Sequence, residues 1–178
     1  MISATENIPV QSNVHVPETD IPQYADIASG DRLFEQRRFD EALEVYRRCI
    51  KICQAKLASG RVNLQASDDF HIAVDRISDL AFYFILSEHK FEKAIELADE
   101  AIRVLESSAW AKLRRGHALM LLDRPDEART IYQRYCVGKA APDRTWQSVV
   151  REEFAKMCEY ELSHDLMDEI EKGLTDQA

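Results

Sequence analysis

The sequence predicts an all-α protein: a right-handed α-α superhelix of three helical hairpins, closed at its carboxy end by a capping helix. Three observations carry that expectation. Apolar residues recur at helical spacing through most of the chain, and no stretch shows the two-residue alternation of a sheet. One short helix is written three times, as "RRFDEALEVYRRCI" from Arg37, "HKFEKAIELADEAI" from His89 and "DRPDEARTIYQRYC" from Asp123, with an alanine fixed in each at Ala42, Ala94 and Ala128. The last two alanines stand 34 positions apart, the period of a two-helix repeat that hides its apolar face only against its neighbours.

Residues 1–19 carry Pro9 and Pro17 and no apolar period, so a disordered tail is expected there. Asp20 followed by Pro22 suits a helix start, an N-cap with proline in the first turn. Helices are then expected near 22–37, 40–58, 68–87, 91–106, 109–122, 125–137 and 144–161, with an amphipathic stretch near 164–172 that continues the last. Gly60, Gly138 and Gly173 are placed just past helix ends, where glycine takes a left-handed conformation at least cost. Ser67 and Asp143 suit N-caps and Pro125 a first turn. Ala42 and Ala94 are 52 positions apart; a second helix reaching Leu57, the polar loop "SGRVNLQASDD" and a third helix from Asp68 absorb the excess. Loop closure cost grows only logarithmically, so such an enlarged connection, near 58–68, is tolerable. The repeats thus occupy 20–141, the cap 142–173, and 174–178 are expected to be disordered.

The copies share a packing pattern. An aromatic or proline precedes each alanine by three residues (Phe39, Phe91, Pro125), and Tyr46, Ala98 or Tyr132 follows it by four on the same helical face. Alanine is required where antiparallel helices cross closely, because a larger side chain would overpack the crossing. Gly30 and Gly116, twelve residues ahead of their alanines, supply the matching small site, although glycine costs about 1 kcal/mol inside a helix.

These residues resemble the tetratricopeptide repeat family over about 22–138. The fullest copy is "AWAKLRRGHALMLLDRPDEARTIYQRY", with Trp110, Gly116, Leu119, Ala128 and Tyr132 at or near family spacings. Phe82 departs from the pattern, standing where a small residue belongs unless the helix shifts by one to bring in Ala81; Tyr135 also replaces a small residue. The layout is similar to the three-repeat domain of large immunophilins, which clamp a terminal carboxylate with Lys, Asn and Arg. The matching places hold Ile27, Asp31, Asp79 or Leu80, Trp110 and Arg114, so only Arg114 keeps a clamp-like residue, and the acids disfavour that ligand by like-charge repulsion.

The resemblance implies that the first helix of each hairpin lines a concave binding face. Helical spacing along those helices selects Tyr24, Asp31, Arg76, Asp79, Tyr83, Trp110, Arg114 and His117 as partner-binding candidates. Amphipathic aromatics and Arg dominate interaction hot spots. Ile27, Phe34, Leu86, Leu113 and Leu121 share the spacing and are expected to be mainly core. On the carboxy side Trp146, Val149, Val150, Phe154, Met157 and Cys158 form the apolar stripe of a cap.

Composition narrows the function further. Net charge is -9 with both ends acidic, which argues against phosphate-backbone binding. The longest apolar run, "LAFYFIL", is far shorter than a bilayer span. The first basic residue is Arg32, so a basic leader is missing and a cytoplasmic location is expected. Cys49, Cys53, Cys136 and Cys158 lack CxxC spacing and are expected to be small buried helix residues. No nucleophile, base and orienting group can be assembled, and no metal or cofactor is implied. The expected function is a non-enzymatic adaptor that binds a protein or peptide partner. Its alternatives are a secretion or assembly chaperone for one client, similar in size and acidity to the three-repeat chaperones of type III secretion translocators, and a self-associating scaffold.

Overall fold

In the computed structural model, which describes residues 26–60, 63–136 and 138–175, the chain runs through α1 (Ile27–Glu35), α2 (Phe39–Ala58), α3 (Leu64–Leu86), α4 (Phe91–Val104), α5 (Ala109–Leu121) and α6 (Pro125–Tyr135), then β1 (Lys139–Ala141), β2 (Arg144–Thr145), α7 (Trp146–Glu159) and α8 (Leu166–Thr175). Each helix from α1 to α6 packs on the next, and α3 also lies along α1 and α5. This is the contact pattern of stacked hairpins, an all-α helical repeat. Ala42, Ala94 and Ala128 have no exposed surface.

The turn inside each hairpin is closed by one device. Arg37, His89 and Asp123, each five residues ahead of its alanine, take left-handed φ values of 59°, 50° and 56°. The next residue then donates its N–H back to the ending helix: Arg38 to the carbonyl of Leu33 (2.9 Å), Arg124 to Leu119 (3.0 Å) and Lys90 to Phe84 (3.0 Å). These bonds satisfy carbonyls that a helix end leaves without partners. The middle bond spans one residue more than the others, which moves α3 by one position against α4. Ala81, fully buried, therefore holds the register place that Gly30 and Gly116 hold in their hairpins, and Phe82 turns elsewhere.

The two glycines mark true close approaches. A Cβ on Gly30 would stand 2.4 Å from Cε1 of Tyr46, and one on Gly116 would stand 3.2 Å from Cγ2 of Ile131 and 3.5 Å from Tyr132. The Tyr46 ring cannot yield easily, because it is 1% exposed and its hydroxyl donates to Asp31 Oδ1 at 2.9 Å. Neighbouring hairpins are also tied across their second helices. Arg47 on α2 donates from Nε and Nη2 to the two oxygens of Glu100 on α4, both at 2.7 Å. That fork-to-fork geometry is the strong form of an ion pair.

Several boundaries differ from the expected ones for local reasons. The start proposed at Asp20 and Pro22 and the tail over 1–19 lie outside the described residues; α1 begins at Ile27, where Asp26 accepts from the Ser29 N–H at 2.6 Å. Asn63, not Ser67, caps α3, accepting from Ala66 N at 2.9 Å, so the helix starts four residues earlier than expected. Thr145, not Asp143, caps α7, because residues 139–145 fold into a two-stranded antiparallel ribbon that periodicity is too short to reveal. Gly60 and Gly138 do take positive φ (74° each), but Gly173 lies inside α8.

The expected single capping helix is two. Glu161 (φ 61°) ends α7 with a fourth left-handed turn, in which Leu162 N donates to the Met157 carbonyl at 3.0 Å. The chain then reverses into α8, whose Leu166, Met167 and Ile170 are buried against α6 and α7. Arg129 on α6 grips Glu169 on α8 at 2.6 and 2.9 Å. Cys49, Cys53 and Cys136 are buried as expected, and burial pushes the Cys49 and Cys136 thiols up to about 11 and about 12. Cys158 is exposed, since it falls beside Met157 on the solvent side of α7.

Candidate functional site

The alternate helices α1, α3, α5 and α7 share one flank of the stack, and two clefts open on it. The larger, about 500 Å³, is lined by Asp75, Arg76, Asp79 and Phe82 of α3, Trp110 and Arg114 of α5, Arg144 of β2, and Glu152, Glu153 and Lys156 of α7. The smaller, about 280 Å³, lies between α1 and α3 and is lined by Asp31, Phe34, Glu35, Tyr46, Arg76 and Asp79. Helical spacing on α3 puts Arg76 and Asp79 on the rim between them.

That rim is an ion network. Arg76 donates to Asp31 from Nε (2.8 Å) and Nη2 (3.3 Å), and to Asp79 from Nη1 (3.2 Å). Asp31 thereby joins Tyr46 and Arg76, so α1, α2 and α3 are linked at one carboxylate. Asp75 stands apart. Among the described residues it accepts no hydrogen bond, and burial, then the nearby Asp79 charge, raise its pKa despite the cations Arg76 and Arg114.

The floor of the larger cleft is charged and closed. Arg114, only 4% exposed, donates from Nη1 to Glu153 Oε2, with its guanidinium carbon 4.1 Å from the Phe82 ring centre and 5.5 Å from that of Trp110. His117 has no exposed surface. Its Nδ1 lies 2.6 Å from the Tyr132 hydroxyl and its Nε2 2.8 Å from Glu153 Oε2. The partners assign the tautomer: Nε2–H donates to the carboxylate and Nδ1 accepts from the tyrosine. Burial holds His117 below its ordinary value of 6.5, against the pull of Glu153, so the ring is neutral at neutral pH. Burial alone would raise Glu153, but the His117 hydrogen bond and the Arg114 charge outweigh it and hold the carboxyl at about 2.

This lock weakens in acid in two stages. The unfolded chain protonates a histidine near 6.5, above the folded His117 value, so stability contributed by the neutral ring is full above 6.5 and lost as pH falls through and below it. Glu153 adds a loss that begins as the pH drops below 4.5 and runs toward about 2. Thermal melts at stepped pH are expected to show the melting temperature falling through both windows. Glu153→Gln should remove the lower step, and an unchanged acid profile in that variant would refute the assignment.

The partner-binding candidates thus separate. Arg76, Asp79, Trp110 and Arg114 come together around the larger cleft, and Asp31 lies across the rim in the smaller. Tyr24 lies outside the described residues. Tyr83 joins an aromatic cluster with Phe34, Phe39 and Phe84, at ring distances of 5.7, 4.2 and 6.0 Å, and its buried hydroxyl makes no hydrogen bond. His117 cannot touch a partner, because the α7 carboxylate has sealed it in, and Arg114 offers little surface for the same reason. Missed by helical spacing were Asp75, Phe82, Arg144, Glu152, Glu153 and Lys156. Glu153 did leave a trace: it falls at helical spacing within the apolar stripe Trp146, Val149, Val150, Phe154 and Met157, where an acid needs a buried cation opposite. Among the described residues no group of His, Cys, Asp and Glu is arranged to hold a metal.

Residues 86–145, from the end of α3 through α6 to β2, match the family model of the tetratricopeptide repeat. No curated protein and no solved structure matches.

Proposed function

From the match of residues 86–145 to the tetratricopeptide repeat, a family of protein-interaction scaffolds, we propose that the chain is a non-enzymatic adaptor. Its partner is a protein segment seated in the cleft between α3, α5 and α7. The observation that carries this reading is a cleft of about 500 Å³ on the flank formed by alternate helices, with an indole, Trp110, partly buried in its wall against Trp146. Clefts of that size and mixed lining suit side chains from a bound segment. The cytoplasmic location belongs to the same proposal; among the described residues no helix is long and apolar enough to cross a membrane.

A phage-displayed random peptide library selected on the whole protein tests it. Replacing Trp110 and Arg76 by alanine together is expected to weaken the selected peptides by about tenfold or more. Lys51→Glu with Arg103→Glu, on exposed positions of α2 and α4, should leave them bound. Peptides that ignore the first pair while its melt remains cooperative would rule the cleft out.

A further inference from the structure

Most charges around the larger cleft are already spent on each other. Arg114 is paired with Glu153, Arg144 Nη2 with Glu152 at 2.5 Å, and Arg76 with Asp31 and Asp79. The one clamp-like cation, Arg114, is occupied by the carboxylate of the chain's own α7, which leaves it unavailable to a partner's carboxylate. Two charges remain, of opposite sign and on opposite walls. Among the described residues Asp75 on α3 has neither hydrogen bond nor ion pair, and it is half-buried where burial and Asp79 penalise its charge. Lys156 on α7 has no ion pair among the described residues either, and its Nζ lies over the Phe82 ring, 5.9 Å from the ring centre. They are not paired to each other, and Phe82 and Trp110 line the same cleft.

We infer that the cleft selects a partner segment carrying a cationic side chain and an acidic one, the Lys or Arg seated at Asp75 and the Asp or Glu at Lys156, in one fixed direction across the floor of Phe82 and Trp110. This rests on the adaptor reading and adds the polarity of the partner. A cation arriving at Asp75 relieves the half-buried carboxylate, which a neutral or acidic group cannot do. A terminal carboxylate with no accompanying cation would satisfy Lys156 alone and leave Asp75 as it is. Charge complementarity of this kind governs specificity and direction more than total affinity.

The test uses the full chain and the same random peptide library. The expected result is enrichment of Lys or Arg at one position and Asp or Glu at another. Asp75→Asn should abolish the first preference and Lys156→Gln the second, each weakening the best peptide about three- to fivefold, the range for a partly exposed ion pair. The double exchange Asp75→Lys with Lys156→Asp should return peptides with the two charges in reversed order. Peptides that bind, respond to Trp110→Ala, and show no paired charge preference would overturn the polarity and leave the adaptor reading standing. Peptides indifferent to Trp110→Ala would remove the cleft altogether. Light scattering that shows a dimer which the peptide dissociates would also overturn the inference, since a second copy would then be the occupant of the cleft.

Discussion

Glu153→Ala is expected to cost about 3–5 kcal/mol, the usual consequence of deleting one member of a buried charged pair, and to lower the melting temperature by roughly 10 °C. The loss comes from what is left behind. Arg114 at 4% exposure keeps its charge without its counter-ion, and His117 at 0% loses the acceptor for its Nε2–H. Glu153→Gln should cost less, because an amide oxygen still accepts both hydrogen bonds. Glu153→Leu combined with Arg114→Met should recover much of the stability, since an apolar pair of similar volume needs no desolvation of ions. Chemical denaturation of the three variants measures the series. A cost below about 1 kcal/mol for Glu153→Ala would mean that water reaches the triad, as at an exposed ion pair.

The second large effect separates two glycines that look equivalent in sequence. Alanine is the better helix former by about 1 kcal/mol, so both Gly30→Ala and Gly116→Ala begin with a gain. At Gly30 the new methyl would overlap Tyr46, whose ring is buried and held by Asp31, itself held by Arg76. Overpacking there is expected to exceed the gain and give a net loss of about 1–3 kcal/mol. At Gly116 the nearest atom is a methyl of Ile131 at 3.2 Å, which can give by a few tenths of an ångström. That variant should be close to neutral. Equal stabilities for the two would show that the Tyr46 ring is freer than its hydrogen bond implies. Tyr46→Phe, which releases the ring from Asp31, should soften the effect at Gly30.

The hairpins were legible because their packing code is local: an alanine, a tyrosine or a second alanine one turn on, and a small residue twelve back, or thirteen at Ala81 in the middle hairpin. Ala42, Ala94 and Ala128 report burial through size alone, and size is written in the residue type. The turns were harder to read. Arg37, His89, Asp123 and Glu161 all take left-handed backbone without being glycine, and their cost of roughly 1 kcal/mol each is met by the carbonyls their neighbours satisfy. A search for glycine finds Gly60 and Gly138 and passes over these four. Glu161 concealed the reversal between α7 and α8 for the same reason. The cleft was half legible. Spacing along α3 and α5 identified Arg76, Asp79, Trp110 and Arg114, but the far wall comes from α7, and which of its residues meet α5 depends on how a non-repeating helix docks. His117 and Glu153 are 36 residues apart, a pairing that no periodicity encodes.

The longer middle turn has a consequence for how the array comes apart. By sliding α3 one position it withdraws Phe82 from its own hairpin and sets it 5.7 Å from His117 and against Arg114, in the next hairpin and under the cap. A linear array held only by nearest-neighbour faces can fray from one end. Here an aromatic from the second unit is wedged into the third, so the third unit and its lid have no separate melting step: calorimetry should record one transition for residues beyond α3, and shortening the 87–90 turn by one residue should split it.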